Sequence, residues 1–230
     1  MSANNVIETR RLFKVFGEGE LEVKALNDVN VEITEGEFTA LVGPSGSGKT
    51  TLLNMIGGLD EPTEGNVILN HQDISELSGS QMTEFRQKNI GFVFQAYNLI
   101  PVLSAYENAE FIMLLQGISE SERKERVFKL LKEVGLEGKE GNKPGELSGG
   151  QQQRVAVVRA LAARPAYILA DEPTANLDSK STGDLLDLMY RLNQEEKMTF
   201  VFATHDQRVI DRAKRVIYLR DGKVEKDEIR

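Results

Sequence analysis

Cysteine is missing from this 230-residue chain. Neither disulfides nor a thiolate zinc site can therefore hold the fold, which is compatible with a reducing compartment. Long apolar runs are missing too: none approaches the roughly 18 residues that a membrane-spanning helix needs. The opening stretch MSANNVIETRRLF lacks the charged, apolar and small-residue order of a secretory signal. These absences predict a protein soluble by itself. A basic surplus is also lacking, since 28 Lys and Arg face 36 Asp and Glu for a formal charge of -8. Non-specific nucleic-acid binding depends on a basic footprint, so no nucleic-acid partner is expected. What is present is enough apolar material, 40% of residues, for one buried core, or one core with an attached subdomain.

Along the chain, Val6 to Ile33 carries short alternating runs around Gly17-Glu18-Gly19, which reads as antiparallel strands. Phe38 to Val42 is a compact apolar strand leading into a glycine-rich turn. A helix follows over Thr50 to Ile56, stopped by Gly57-Gly58. Asn66 to Leu69 and Ile90 to Phe94 read as further strands. Helices are predicted over Ser104–Leu115, over Ser119–Val134 with a Ser119-x-x-Glu122 capping box, and from Ser148 to about Ala163. Then strands at Tyr167–Ala170, Thr199–Ala203 and Arg215–Leu219 alternate with helices, and Asp221-Gly222 closes a final hairpin. This order implies an α/β fold: a mainly parallel sheet with helices on both faces, an N-terminal antiparallel β subdomain and an inserted helical subdomain.

Three segments carry chemistry. Gly43, Pro44, Ser45, Gly46, Ser47, Gly48, Lys49 and Thr50 complete a phosphate-binding loop between a strand and a helix, with Thr51 directly after it. Glycines let the backbone wrap an anion, Lys49 reaches the β- and γ-phosphates, and the Thr50 hydroxyl suits Mg²⁺. Asp171 and Glu172 end an apolar strand and so face the crevice where such sheets bind ligands. Asp171 suits Mg²⁺ through water, and Glu172 is placed to orient or deprotonate an attacking water. His205 follows another apolar strand on the same side, within reach of a phosphate oxygen. The third segment is Ser148, Gly149, Gly150 and Gln151, a capped helix start whose glycines leave N–H groups open to an anion. One triphosphate is already wrapped by the first loop, so this second end makes sense if it closes over a nucleotide held by another copy. A small-molecule kinase would share only the first of these segments.

Taken together, GPSGSGKT, LSGGQQQR, ILADEPTANLD and ATHD, in that order, resemble the ATP-binding cassette of ABC transporters over essentially the whole chain. The resemblance implies an ATPase subunit with ATP and Mg²⁺ as cofactors. It further implies an ATP-sandwich dimer of two copies, an integral membrane permease as partner, and a cytoplasmic place on the inner face of the membrane. In that frame Ser148 to Gln151 resemble the signature that contacts the partner copy's γ-phosphate. Gln95 resembles the loop glutamine that senses Mg²⁺ and transmits to the membrane partner. Ala175, Asn176 and Asp178 resemble the loop crossing the dimer interface, and His205 the histidine that holds the γ-phosphate and supports Glu172. The family's adenine-stacking tyrosine is replaced by Phe16, which keeps the stacking face and loses the hydroxyl. Residues 1–230 are then one ATP-binding domain. It divides into a β region with the phosphate-loop core (1–95), a helical subdomain with the signature helix (96–164), and a core running from the Asp171 strand onward (165–230). The segment QAYNLIPVLSAYEN, residues 95–108, is similar to the branch that serves lipoprotein release, macrolide efflux and peptide resistance. Tyr97, Leu99, Ile100 and Leu103 crowd apolar surface into a predicted loop there, which marks it as the face for the membrane subunit.

Overall fold

The structure, a computed structural model, describes residues 4–230. The chain opens with β1 (Asn5–Phe16) and β2 (Val23–Thr34), then β3 (Phe38–Val42) runs into a glycine-rich turn and α1 (Lys49–Ile56). Next come β4 (Glu64–Leu69), β5 (Gln72–Asp73), α2 (Gly79–Asn89) and β6 (Ile90–Val93). The helical block follows as α3 (Ala105–Leu115), α4 (Glu120–Glu133) and α5 (Gly149–Ala162). The rest alternates: β7 (Tyr167–Asp171), α6 (Ser179–Glu196), β8 (Thr199–Ala203), α7 (Gln207–Arg212), β9 (Arg215–Arg220) and β10 (Lys223–Ile229).

Two sheets result. The first is antiparallel, in the order β2-β1-β4-β5, and β2 alternates buried and exposed residues from Val29 to Ile33, as a half-buried strand must. Arg11 and Asp28 sit at positive φ where the β1–β2 register slips, as expected of bulges. The second sheet has the order β10-β9-β3-β8-β7-β6. Its pairs are parallel except for the β9–β10 hairpin. The turn of that hairpin, Asp221-Gly222, has both residues at positive φ, as a two-residue connection requires.

Every residue of β8 is buried, because apolar layers cover both faces of the second sheet. Phe200 and Phe202 point one way, onto Phe38 and the helical layer that includes α5 and α6. Val201 and Ala203 point the other way, onto α1 and the inner face of the first sheet. Full burial of a side chain the size of Phe38 contributes on the order of 2–3 kcal/mol, so this layer fixes the strand ends that carry the chemistry. Within the helical block, Arg123 pairs with Glu110 at 2.6 Å and joins α4 to α3. Arg126 donates to the carbonyls of Leu161 and Ala162, satisfying the C-terminal end of α5.

Three local departures from the sequence reading have physical causes. α2 and β5 were not anticipated: α2 has no buried residue, so it carries no apolar stripe to read. The box at Ser119 is only half formed, since Ser119 accepts from the Glu122 N–H and the reciprocal bond is absent. The complete boxes lie instead at Ser78–Gln81, Ser104–Glu107 and Ser148–Gln151.

Candidate active site

The phosphate-type loop is shaped by what it leans on. A Cβ on Gly43 would lie 2.1 Å from the Leu219 carbonyl oxygen, so no side chain fits there. Gly48 has φ 101°, and a Cβ would lie 2.5 Å from the Ala25 carbonyl oxygen. Both positions need glycine, one for close approach and one for conformation. The loop is also pinned by the hairpin turn: Gly222 N–H donates to the Ser47 carbonyl at 3.2 Å, and Asn27 N–H donates to the Gly222 carbonyl at 2.8 Å. α1 starts with no side-chain cap, which leaves its first-turn N–H groups open. The Lys49 ammonium folds back over the loop and donates to the carbonyls of Gly43 and Pro44 at 2.8 and 3.0 Å.

The ends of β7 and β8 stand beside this loop because β3 pairs with β8, and β8 with β7. Thr50 Oγ1 donates to Asp171 Oδ2 at 3.0 Å. Burial pushes the Asp171 carboxyl above its ordinary range, reinforced by the charge of Glu172 and opposed by the Thr50 bond and Lys49. Glu172 lies just past the strand end at φ 47°, a left-handed conformation that costs a non-glycine residue about 1–3 kcal/mol. Its surroundings hold it there. Glu172 N–H donates to the Ala203 carbonyl at 2.9 Å, Thr204 Oγ1 donates to Glu172 Oε2 at 3.0 Å, and His205 Nδ1 lies 2.6 Å from Glu172 Oε1. Thr204 is fully buried and its oxygen accepts the Asp206 N–H. Asp206 in turn accepts from Thr174 and from the Arg208 guanidinium, which lowers its carboxyl to about 2.

These groups converge on one cleft of about 960 Å³. Of the residues singled out from the sequence, Phe16, Gly43 to Thr51, Gln95, Asp171, Glu172 and His205 all line it. Phe16 is half exposed at its mouth, with the Lys14 ammonium 4.9 Å from the ring centroid and tied to Asp60 at 2.8 Å. Ser148, Gly149, Gly150 and Gln151 do not line the cleft, and neither do Ala175, Asn176 and Asp178. Ser148 and Gln151 bond each other in a full capping box at the start of α5. Asp178 caps α6 through the N–H groups of Lys180 and Ser181, while Ala175 and Asn176 are exposed. Sequence reasoning missed Lys14, Thr204 and Asp206. The available signals were the two-residue strand period from Lys14 to Phe16 and the placement of Thr204 and Asp206 on either side of His205.

Among the described residues, no three or more His, Cys, Asp or Glu are arranged so that they could hold a metal ion by themselves. A divalent ion in the cleft would thus rely on nucleotide oxygens and water besides the Thr50 hydroxyl and the Asp171 carboxylate. That is an all-oxygen set of the kind Mg²⁺ takes, and the residues fit it.

The ABC transporter family model matches residues 26–175. An ABC transporter ATP-binding protein of Methanocaldococcus jannaschii, MJ0796, is 47% identical over 97% of this chain and 97% of its own length. The macrolide export ATP-binding/permease protein MacB of Hyphomonas neptunium is 48% identical over 96% of this chain, which spans 34% of that longer protein. A solved dimer of MJ0796 in a post-hydrolysis state, bound to ADP and Pi, superposes with a TM-score of 0.92 at 45% identity. It covers 97% of this chain and 98% of that one.

Proposed function

The chain belongs to the ABC transporter family, and on that premise we propose how its residues share the work of binding and hydrolysing ATP. The chain is the ATP-driven ATPase subunit of a transporter, acting as a dimer with a membrane permease. Phe16 stacks the adenine, and the open N-terminus of α1 with Lys49 receives the phosphates. Thr50 and Gln95, and Asp171 through water, would hold Mg²⁺, which when bound would supply positive charge to offset that of the phosphates. Glu172 accepts the proton of the attacking water, and Thr204 and His205 keep its carboxylate aimed. The ring of His205 is largely exposed and so faces an incoming γ-phosphate as well as Glu172.

Ser148 to Gln151 of the second copy close over the nucleotide, with Ala175, Asn176 and Asp178 at the seam. Their absence from the chain's own cleft supports that division of labour. The two copies sit on the cytoplasmic face of the membrane, and residues 1–230 act as one domain. The permease belongs to the macrolide, lipoprotein-release or peptide-export type, a reading supported by the likeness to MacB.

The observation that carries this reading is Glu172 held at φ 47° by three hydrogen-bonded contacts at the mouth of the phosphate loop. Glu172→Gln keeps shape and loses the base, so hydrolysis should fall on the order of 10²–10⁴-fold. The variant should then accumulate as a dimer with two ATP molecules in gel filtration with light scattering. Unmodified protein with a non-hydrolysable ATP analogue serves as the comparison. A variant that binds Mg-ATP tightly yet stays monomeric over a range of protein concentrations would refute the shared-site mechanism.

A further inference from the structure

Between β6 and α3 the chain makes a feature that neither binding nor hydrolysis explains. Tyr97 and Asn98 have φ 41° and 50°, two successive non-glycine residues in the left-handed region. An aromatic residue avoids that region, and a consecutive pair is rarer still. Nothing in the sequence forces it, since Ala96-Tyr97-Asn98-Leu99 contains no glycine. The restraint comes from α5. Arg159 Nη1 donates to the Asn98 carbonyl at 2.6 Å and Nη2 to the Tyr97 carbonyl at 3.0 Å. One planar guanidinium thus spans both strained residues, a geometry that lysine cannot copy.

The same loop touches the other end of α5. The Tyr97 hydroxyl lies against Gly149, where a Cβ would be 2.8 Å from Oη and 3.7 Å from the ring carbon bearing it. Gly149 and Arg159 stand about 15 Å apart along the helix, so the loop is laid along α5 and held at both places. At its near end, Asn176 Nδ2 donates to the Gln95 carbonyl at 3.4 Å, which attaches the loop to the turn after β7. Between the cleft residue Gln95 and the signature residue Gly149 there is thus a short path, two residues along the chain and then across the Tyr97 side chain.

We propose that Arg159 is a positioning residue that clamps residues 97 and 98 in this pair, and that the clamped Tyr97 sets the signature helix start against Gln95. The inference rests on the shared-site reading above, because it is through the partner's nucleotide that the signature is felt.

The test uses the full chain carrying Glu172→Gln. If that parent fails to dimerise with ATP, the shared-site reading fails before the clamp is reached. Against a dimerising parent, Arg159→Lys should weaken the ATP-dependent dimer roughly tenfold by sedimentation equilibrium, with ATP affinity of the monomer by calorimetry changed less than about twofold. Adding Asn98→Gly makes the left-handed conformation free of strain and should restore the dimer to within about threefold of the parent. A residue that merely fills space is not rescued by a glycine in another element. A second pair is independent of whether Arg159→Lys folds. Gly149→Ala should weaken the dimer by pressing on the Tyr97 hydroxyl. Tyr97→Phe should recover it, since the nearest remaining atom is then at ordinary contact distance. Unchanged dimerisation in Arg159→Lys, or failure of both rescues in folded protein, overturns the proposal.

Discussion

α1 and α5 begin in similar sequence, one after Gly46-Ser47-Gly48 and the other as Ser148-Gly149-Gly150, yet their N-termini are opposites. At α1 no side chain caps the helix, and a glycine at φ 101° turns the chain so that the first N–H groups face the cleft. At α5 the Ser148 hydroxyl accepts from the Gln151 N–H, and the Gln151 side-chain Oε1 accepts from the Ser148 N–H. The first end has donors waiting for an anion, whereas the second has satisfied some of its own. A single subunit is therefore built to bind phosphate at one helix start and to present the other, already ordered, to a nucleotide it does not itself hold. A helix end that must be stable without ligand is capped, and one whose ligand completes it is left open.

Breaking the open end should have the largest effect. Lys49→Ala removes the ammonium that lies over the loop, and ATP affinity by calorimetry should fall about 100-fold or more. Unchanged affinity would show that the phosphates lie elsewhere. Ser148→Arg tests the closed end: monomer affinity should stay within about twofold while steady-state ATPase activity drops at least roughly tenfold, because the added cation obstructs the second copy. Mixed with Lys49→Ala, it should regain part of that activity, since such a dimer retains one intact composite site. Gly48→Ala sharpens the contrast, as it puts a Cβ 2.5 Å from the Ala25 carbonyl and strains a positive φ. It should lower the melting temperature by about 5–15 °C and weaken ATP binding in step. Gln151→Ala should do least, costing about 1 kcal/mol in urea unfolding through the lost half of the box, with monomer ATP affinity intact. A large loss of that affinity would mean that α5 serves the chain's own nucleotide.

The parts of this arrangement that could be read from sequence are those written in consecutive residues. β3, β7 and β8 are short apolar runs ending at the phosphate loop, at Asp171 and just before Thr204-His205, so their shared crevice followed from α/β alternation alone. Ser148 announced α5 in the same way. α2 was invisible for the opposite reason: with no buried side chain, its only mark is the Ser78–Gln81 box. Nor could the left-handed backbone at Glu172, Tyr97 and Asn98 be read, because glycine is the residue that signals it and none of these is glycine. In sequence, Tyr97, Leu99, Ile100 and Leu103 predict a loop after Gln95 crowded with apolar surface for a partner. The structure divides it: Leu99 packs on the core, while Val102 is 72% exposed. Asn108, fully buried, holds the backbone of residues 100, 103 and 104 through its amide, a polar scaffold that hydrophobicity patterns cannot reveal.

The contacts of the hairpin turn at 221–222 with Ser47 and Asn27 bear on how the protein is made. A ribosome delivers β1, β2, β3 and the glycine-rich turn early, but Leu219 and Gly222, against which that turn is moulded, emerge far later. Synthesis proceeds at about 5–20 residues per second, so the nascent chain spends on the order of ten seconds with its nucleotide loop lacking a backing. ATP thus meets no finished site on a half-made chain. Competence to bind nucleotide arrives with the β9–β10 hairpin, and translation itself sets the order in which folding and ligand capture occur.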